Sequence, residues 1–217
     1  MSELLAKFKE ICNNEINLPD TGNVTITQLN IEFQNRLFSL LKETEGEAAV
    51  SINYLQFINN YIFEVTKKDN ITFIDKLFLL LHWKNEINVE DKQEIKFENV
   101  NLNDEHLKTN ISEQDVKIDF KIPSLKQENN ILSYLLSKDT LLEADILFFD
   151  LFRFIEKITI SDQEYKLSDT SYEDLYKLYL LFDIGLIDSI ASTINNGLAD
   201  VVNLRSLEAD FSFFVDL

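Results

Sequence analysis

The sequence predicts a predominantly helical α+β fold, with an N-terminal helix and small hairpin, a central strand region, and a helical C-terminal half holding a short hairpin. Two observations lead there. Apolar residues recur at spacings of three and four along most of the chain, which aligns them on one helical face, and only short stretches show the period of two that a half-buried strand needs. The 217 residues also include just 4 glycines and 2 prolines, with no serine-, glycine- or proline-rich run to act as a linker. The chain therefore reads as one compact domain over 1–217, within which a helical part with the hairpin (1–86), a strand region (87–123) and a second helical part (124–217) can be distinguished. A hydrophobic content of 45% can supply a sizeable core at this length.

Each element has a local reason. The opening MSELLAKFKEIC sets Leu4, Leu5, Phe8, Ile11 and Cys12 at helical spacing and is interrupted by charge, unlike the apolar run of a signal peptide. Pro19-Asp20-Thr21-Gly22 is turn chemistry between Ile16–Leu18 and Val24–Ile26, hence a hairpin. A helix is expected over about 28–43 with Ile31, Leu37, Phe38 and Leu41 inward, broken by Glu45-Gly46-Glu47. Ile52, Leu55, Ile58 and Ile62 form the stripe of the next helix, and Thr72 caps a third, TFIDKLFLLLHWK, apolar round most of its circumference and therefore central.

From about 87 to 123 the period changes to two, most clearly at Val116, Ile118, Phe120 and Ile122. Pro123 ends that strand, and Ser124 with Gln127 opens a helix through Ile131, Leu132, Leu135 and Leu136. Thr140 with Glu143 repeats the capping pattern before LLEADILFFDLFRFIEKI. A hairpin follows with its turn at Ser161-Asp162-Gln163, and Thr170 with Glu173 caps SYEDLYKLYLLFD. The last helix, about 185–195, is expected to stop at Asn196-Gly197 in a left-handed conformation.

Charge narrows the function classes. The 38 acidic and 20 basic residues leave a formal charge of -18, and no stretch gathers lysine and arginine into a phosphate-binding stripe, so direct nucleic-acid binding is not expected. An acidic surface suits a basic protein partner instead. Cys12 is the lone cysteine, so no internal disulfide is required and a cytosolic origin is the default. Apolar runs such as Phe78-Leu79-Leu80-Leu81 are far shorter than the roughly 18 to 20 residues of a bilayer span, so no membrane insertion is expected.

Catalytic patterns are sparse. His82 sits beside Trp83 on an apolar helix, and His106 follows Asn103-Asp104-Glu105, whose adjacent carboxylates converge poorly on a metal. Cys12 on an apolar helix face behaves as a small hydrophobe. Asp145 with Asp150, and Glu173 with Asp174, read as helix caps or solvated faces. There is no phosphate-cradling glycine loop, G-x-S-x-G elbow or H-E-x-x-H motif. The expectation is a protein that is not an enzyme, with no catalytic residues, metal site or cofactor.

The C-terminal EADFSFFVDL carries the candidate partner-binding residues Phe211, Phe213, Phe214, Val215 and Leu217. Burying a phenylalanine contributes about 2 to 3 kcal/mol, so this aromatic group needs shelter, either in the chain's own core or in a partner.

Several segments, taken in order, resemble the baseplate hub subunits and hub-assembly proteins of T4-like contractile-tailed phages. INLPDTGNVTITQLNIEFQNRLFSLL is similar to that family's strand, Leu-Pro with nearby glycine, second strand and polar helix. KIDFKIPSLKQENNIL is similar to its central strand running through proline into a helix. LFFDLFRFIEKITISDQEYKLSDTSYEDLYKLYLLF resembles the helix, short hairpin and capped helix that follow, and ADFSFF its aromatic ending. The resemblance implies a non-enzymatic structural or assembly role in the tail baseplate, with other baseplate or tail proteins as partners. It also implies location in the host cytoplasm during assembly and, if the protein is retained, in the virion. The alternative left by composition is a soluble acidic adaptor or inhibitor of a basic or nucleic-acid-binding protein.

Overall fold

The computed structural model describes Lys7 and residues 13–87, 92–93, 116–209 and 214. The expected opening helix with Cys12, most of the 87–123 strand region, His106, and Phe211, Phe213, Val215 and Leu217 lie outside the described residues. Within them, the chain is predominantly helical α+β, with a two-stranded and a three-stranded sheet.

The first hairpin pairs β1 (Asn13–Leu18) with β2 (Gly22–Thr27), antiparallel, from Asn13 opposite Thr27 to Leu18 opposite Gly22. Gly22 closes the turn at φ 79, where a side chain would be strained. Leu18, Val24 and Ile26 point into the core. Helix α1 (Ile31–Glu43) is capped by Asn30, whose side chain accepts the Phe33 N–H at 3.0 Å. Its inward face differs from expectation: Phe33 and Leu37 are buried, whereas Ile31 is 74% and Phe38 40% exposed. Ile31 is the first residue of the helix, and the packing stripe follows the buried i, i+4 pair Phe33 and Leu37, with the Phe33 ring against Phe57 and Tyr61 of the next helix.

Gly46, at φ 89, makes the break before α2 (Glu47–Thr66), whose Ile52, Leu55, Ile58 and Ile62 are buried as the stripe predicts. Helix α3 (Phe73–Ile87) is buried on almost all sides. Its start is a capping box: Thr72 Oγ1 accepts the Asp75 N–H, and Asp75 Oδ2 accepts the Thr72 N–H, both at 3.2 Å. Asp75 also accepts the Asp20 N–H at 2.9 Å and the Thr21 hydroxyl at 2.5 Å, fastening the hairpin turn to α3.

Strand β3 (Val116–Phe120) is half-buried, as its alternation predicts, and forms the antiparallel order β3-β4-β5 with β4 (Ile155–Ile160) and β5 (Gln163–Lys166). The β4–β5 turn is tighter than expected. Gln163 pairs with Ile160, leaving Ser161 and Asp162 as a two-residue loop at φ 48 and 66.

Between β3 and β4 run α4 (Leu125–Leu136) and α5 (Glu143–Phe152). Ser124 caps α4 through the Gln127 N–H at 3.2 Å, but the Gln127 side chain donates to the Arg153 carbonyl at 3.1 Å and does not complete a capping box. Helix α5 starts later than the Thr140–Glu143 pattern suggests, and Asp145 accepts the Leu142 N–H at 2.7 Å.

Helix α6 (Tyr172–Tyr179) is likewise displaced by one residue: Ser171 caps it by accepting the Asp174 N–H at 3.1 Å, while the Thr170 hydroxyl donates to Lys166. Helix α7 (Ile184–Gly197) is capped by Asp183. Gly197 does not take the expected left-handed ending. The chain stays right-handed through Leu198, which carries the buried Leu198 and Val201 inward, then forms a 3-10 turn (Val202–Leu204) and the short α8 (Ser206–Ala209). One continuous apolar cluster runs from Leu18 through Trp83, Ile118 and Phe152 to Phe214. Among the described residues no single helix is long and apolar enough to cross a membrane.

Candidate functional site

Lys76 of α3, Glu128 of α4, Arg153 at the end of α5 and Glu208 of α8 meet in the interior, each almost completely buried. Arg153 Nη1 donates to Glu128 Oε1 at 3.0 Å and to Glu208 Oε1 at 2.9 Å. Its Nη2 donates to Glu208 Oε2 at 2.9 Å and to Asp150 Oδ1 at 3.2 Å. Lys76 Nζ lies 2.5 Å from both Glu128 Oε2 and Glu208 Oε1. The Asn59 amide, from α2, donates to Glu128 Oε2 at 3.0 Å.

Local structure explains these positions. Arg153 is the C-cap of α5, where the helix dipole favours a cation, and its backbone N–H still donates to Phe149 at 3.2 Å. Phe149, Phe73 and Phe154 surround its guanidinium carbon at 4.7, 4.8 and 5.0 Å, replacing water with ring faces. A buried lysine or arginine without a partner would be costly, and the two carboxylates balance the two cations. Burial alone would raise the Glu208 carboxyl, but Arg153 and Lys76 overcome it and pull it down to about 2. Burial likewise opposes the charge on Arg153, yet Glu208, Glu128 and Asp150 raise its pKa above the ordinary value.

The network opens on one side into a cleft of about 300 Å³ walled by Tyr54, Leu55, Ile146 and Val202. Asp150 and Arg205 stand at its rim, 3.8 Å apart. Desolvation raises the Asp150 carboxyl against the pull of Arg153 and Arg205, and burial with the nearby Arg153 lowers Arg205. Opposed tuning of Asp150 and Glu208 superficially resembles an acid–base pair. Both Glu208 oxygens, however, are occupied by Arg153 and Lys76, and the side chain is only 5% exposed against 38% for Asp150. The arrangement holds the C-terminal segment against α3, α4 and α5.

The residues singled out in sequence fall in different places. Phe214 is fully buried within the chain, its ring 5.0 Å from Phe33, which in turn lies 4.5 Å from Tyr61. In this conformation Phe214 is sheltered by its own chain and is not presented to a partner. Burial, reinforced by Glu64, pushes the neighbouring Tyr61 hydroxyl up to about 12. His82 is partly exposed, with Nε2 3.3 Å from Glu86 Oε1. Glu173 pairs with Lys177 on a solvated face, as expected, and Asp174 sits in the first turn of α6, where its N–H donates to the capping Ser171 and its carboxylate accepts the Ser171 hydroxyl at 2.7 Å. Asp145 is a cap too, but buried and paired with Lys138, and Asp150 belongs to the cleft rim instead of a solvated face.

Among the described residues no group of three or more His, Cys, Asp or Glu side chains is placed to hold a metal ion. The charge network is not written in any sequence motif. Its signals were Lys76 inside the apolar run FIDKLFLLL and Arg153 between Phe152 and Phe154, cations placed where only an internal partner could accommodate them. Compared with protein-family models, curated proteins and solved structures, the chain matches none.

Proposed function

We propose that this protein is a non-enzymatic structural or assembly component of a phage tail baseplate hub, acting by contact with other tail proteins. The baseplate assignment is supported by the ordered resemblance of its strand, proline–helix and capped-helix segments to that family. The contact role is supported by one structural observation above others: the buried Arg153 and Lys76 are paired with Glu128 and Glu208, which fastens the C-terminal segment to the core. That attachment yields a firmly tied body suited to positioning partners.

Deletion of the gene in a phage that encodes it, with electron microscopy of the lysate, tests the assignment. Loss of complete baseplates is expected, and normal tails in normal number would overturn it. Mass spectrometry of purified particles then separates a retained subunit from an assembly factor.

The formal charge of -18 favours one second reading, an acidic adaptor or inhibitor of a basic or nucleic-acid-binding protein. Its affinity for such a partner would fall steeply between low and high salt, and salt-independent binding would exclude it.

A further inference from the structure

The α6–α7 corner carries an exposed aliphatic surface. The two helices turn through 114° across it. Leu180, Leu181 and Ile184 are 61%, 81% and 77% exposed, while their neighbours Tyr179 and Leu186 are buried. Phe182, between them, is tucked back against Phe152, with ring centroids 5.9 Å apart and planes at 23°.

The corner is also held in place. The N–H groups of Leu180, Leu181 and Phe182 donate to Tyr176, Leu178 and Tyr179 at 3.1, 3.0 and 3.0 Å, and Asp183 accepts the Leu186 N–H at 2.8 Å. Side chains displayed on a backbone fixed in this way lose less freedom on binding than those of a loose loop.

Charge decides what can cover it. Asp183 and Asp188 are exposed beside the aliphatic residues, and the nearest lysine along the chain, Lys177, is paired with Glu173 at 2.7 Å. A second copy, itself at a formal charge of -18, or an anionic lipid surface would be repelled. The geometry points to the α6–α7 corner as a docking knob for a protein whose apolar pocket is rimmed by lysine and arginine. Leu181 and Ile184 enter the pocket, and Asp183 and Asp188 face the basic rim. This deepens the contact role proposed above and rests on it, but the surface and partner chemistry can be tested separately from the baseplate setting.

The test places the photo-crosslinking residue benzoylphenylalanine at Leu181 of the full chain, with exposed Glu43 as control position, in cells assembling complete tails. The crosslinked peptide is sequenced, and the purified partner is titrated against wild type, Leu181→Asp, Ile184→Asp and Asp188→Lys. Unchanged circular dichroism and thermal unfolding establish that each variant is folded.

A crosslink to a different protein, at an apolar site flanked by lysine or arginine, is expected. Leu181→Asp and Ile184→Asp should each weaken binding at least tenfold, and Asp188→Lys severalfold with a shallower salt dependence. Crosslinks to the chain itself, to a second copy or to lipid, or full affinity in the Leu181→Asp and Ile184→Asp variants, would overturn the inference. A tail protein bound equally well by these variants would sink the corner and spare the baseplate reading. A corner-dependent partner foreign to tails would do the reverse.

Discussion

Glu208 and Arg153 lie 55 residues apart in sequence and are joined by two hydrogen bonds of 2.9 Å, one from each terminal nitrogen to each carboxylate oxygen. This bidentate pair, with Lys76 behind it, is the polar attachment of α8 to the interior. Removing one partner of a buried ion pair leaves the other uncompensated, at a cost of about 3 to 5 kcal/mol. Glu208→Ala should therefore lower the urea midpoint severely. Glu164→Ala, which breaks an exposed, solvent-screened pair with Lys157, should leave the midpoint nearly unchanged. Equal effects would mean that the interior network is not closed.

The same pair sets an acid limit. The Glu208 carboxyl is held at about 2 against an ordinary 4.5, so the unfolded chain takes up a proton at a higher pH than the folded chain does. Its contribution is complete above pH 4.5 and disappears as the pH falls from 4.5 through about 2. Urea unfolding of wild type and Glu208→Gln across this range isolates the effect from other carboxylates. The stability difference should be large at pH 6 and small at pH 2.

Phe214 should matter as a core residue. Truncating a fully buried phenylalanine costs about 3 to 5 kcal/mol, so Phe214→Ala should destabilise by that amount and open the face of Phe33. Tyr61, two rings away, gives an optical readout. Its hydroxyl is raised from 10 to about 12, so the stability it contributes is present below pH 10 and lost as the pH rises through 12. Ultraviolet titration should find a late-ionising tyrosine in wild type that is missing in Tyr61→Phe and ionises earlier in Phe214→Ala.

Asp75 joins the hairpin turn to α3. Asp75→Ala keeps its own N–H bond to Thr72 Oγ1 but removes the acceptor of the Thr72 and Asp20 N–H groups and of the Thr21 hydroxyl, part-buried donors whose bonds are worth about 0.5 to 1.5 kcal/mol each, so it should cost roughly 1 to 3 kcal/mol in thermal melts. Asp20→Ala, which leaves the Asp75 carboxylate in place, should cost clearly less in the same thermal melts.

The β4–β5 turn leaves room for improvement. Ser161 and Asp162 occupy positive φ, a region that glycine enters without strain. Relief of a left-handed non-glycine residue, about 1 to 2 kcal/mol, outweighs the roughly 0.5 to 1 kcal/mol that glycine's extra freedom costs, so Asp162→Gly should give a slightly higher melting temperature with no change at the charge network.

The local features were legible because their causes are local. The Pro19–Gly22 turn, the α2 stripe, the Thr72 and Ser124 caps and the alternation at Ile118 and Phe120 each follow from residues a few positions apart. Where neighbouring residues offered equivalent choices, sequence chose wrongly: Thr170 for Ser171, Thr140 for Leu142, and Ile31 with Phe38 for Phe33. Those choices are decided by which side chain meets another element. Gly197 stayed right-handed for the same kind of reason, since Leu198 and Val201 had a core to enter.

By itself, then, the sequence determined a helical α+β chain, strongly acidic and rich in phenylalanine. Tertiary structure alone decided that Lys76, Glu128, Arg153 and Glu208 close on one another, and that Phe214 shelters against Phe33 while Leu181 and Ile184 remain outside. The reason is physical: periodicity and capping act within a few residues, whereas compensating a buried charge requires partners brought together from four separate helices or helix ends.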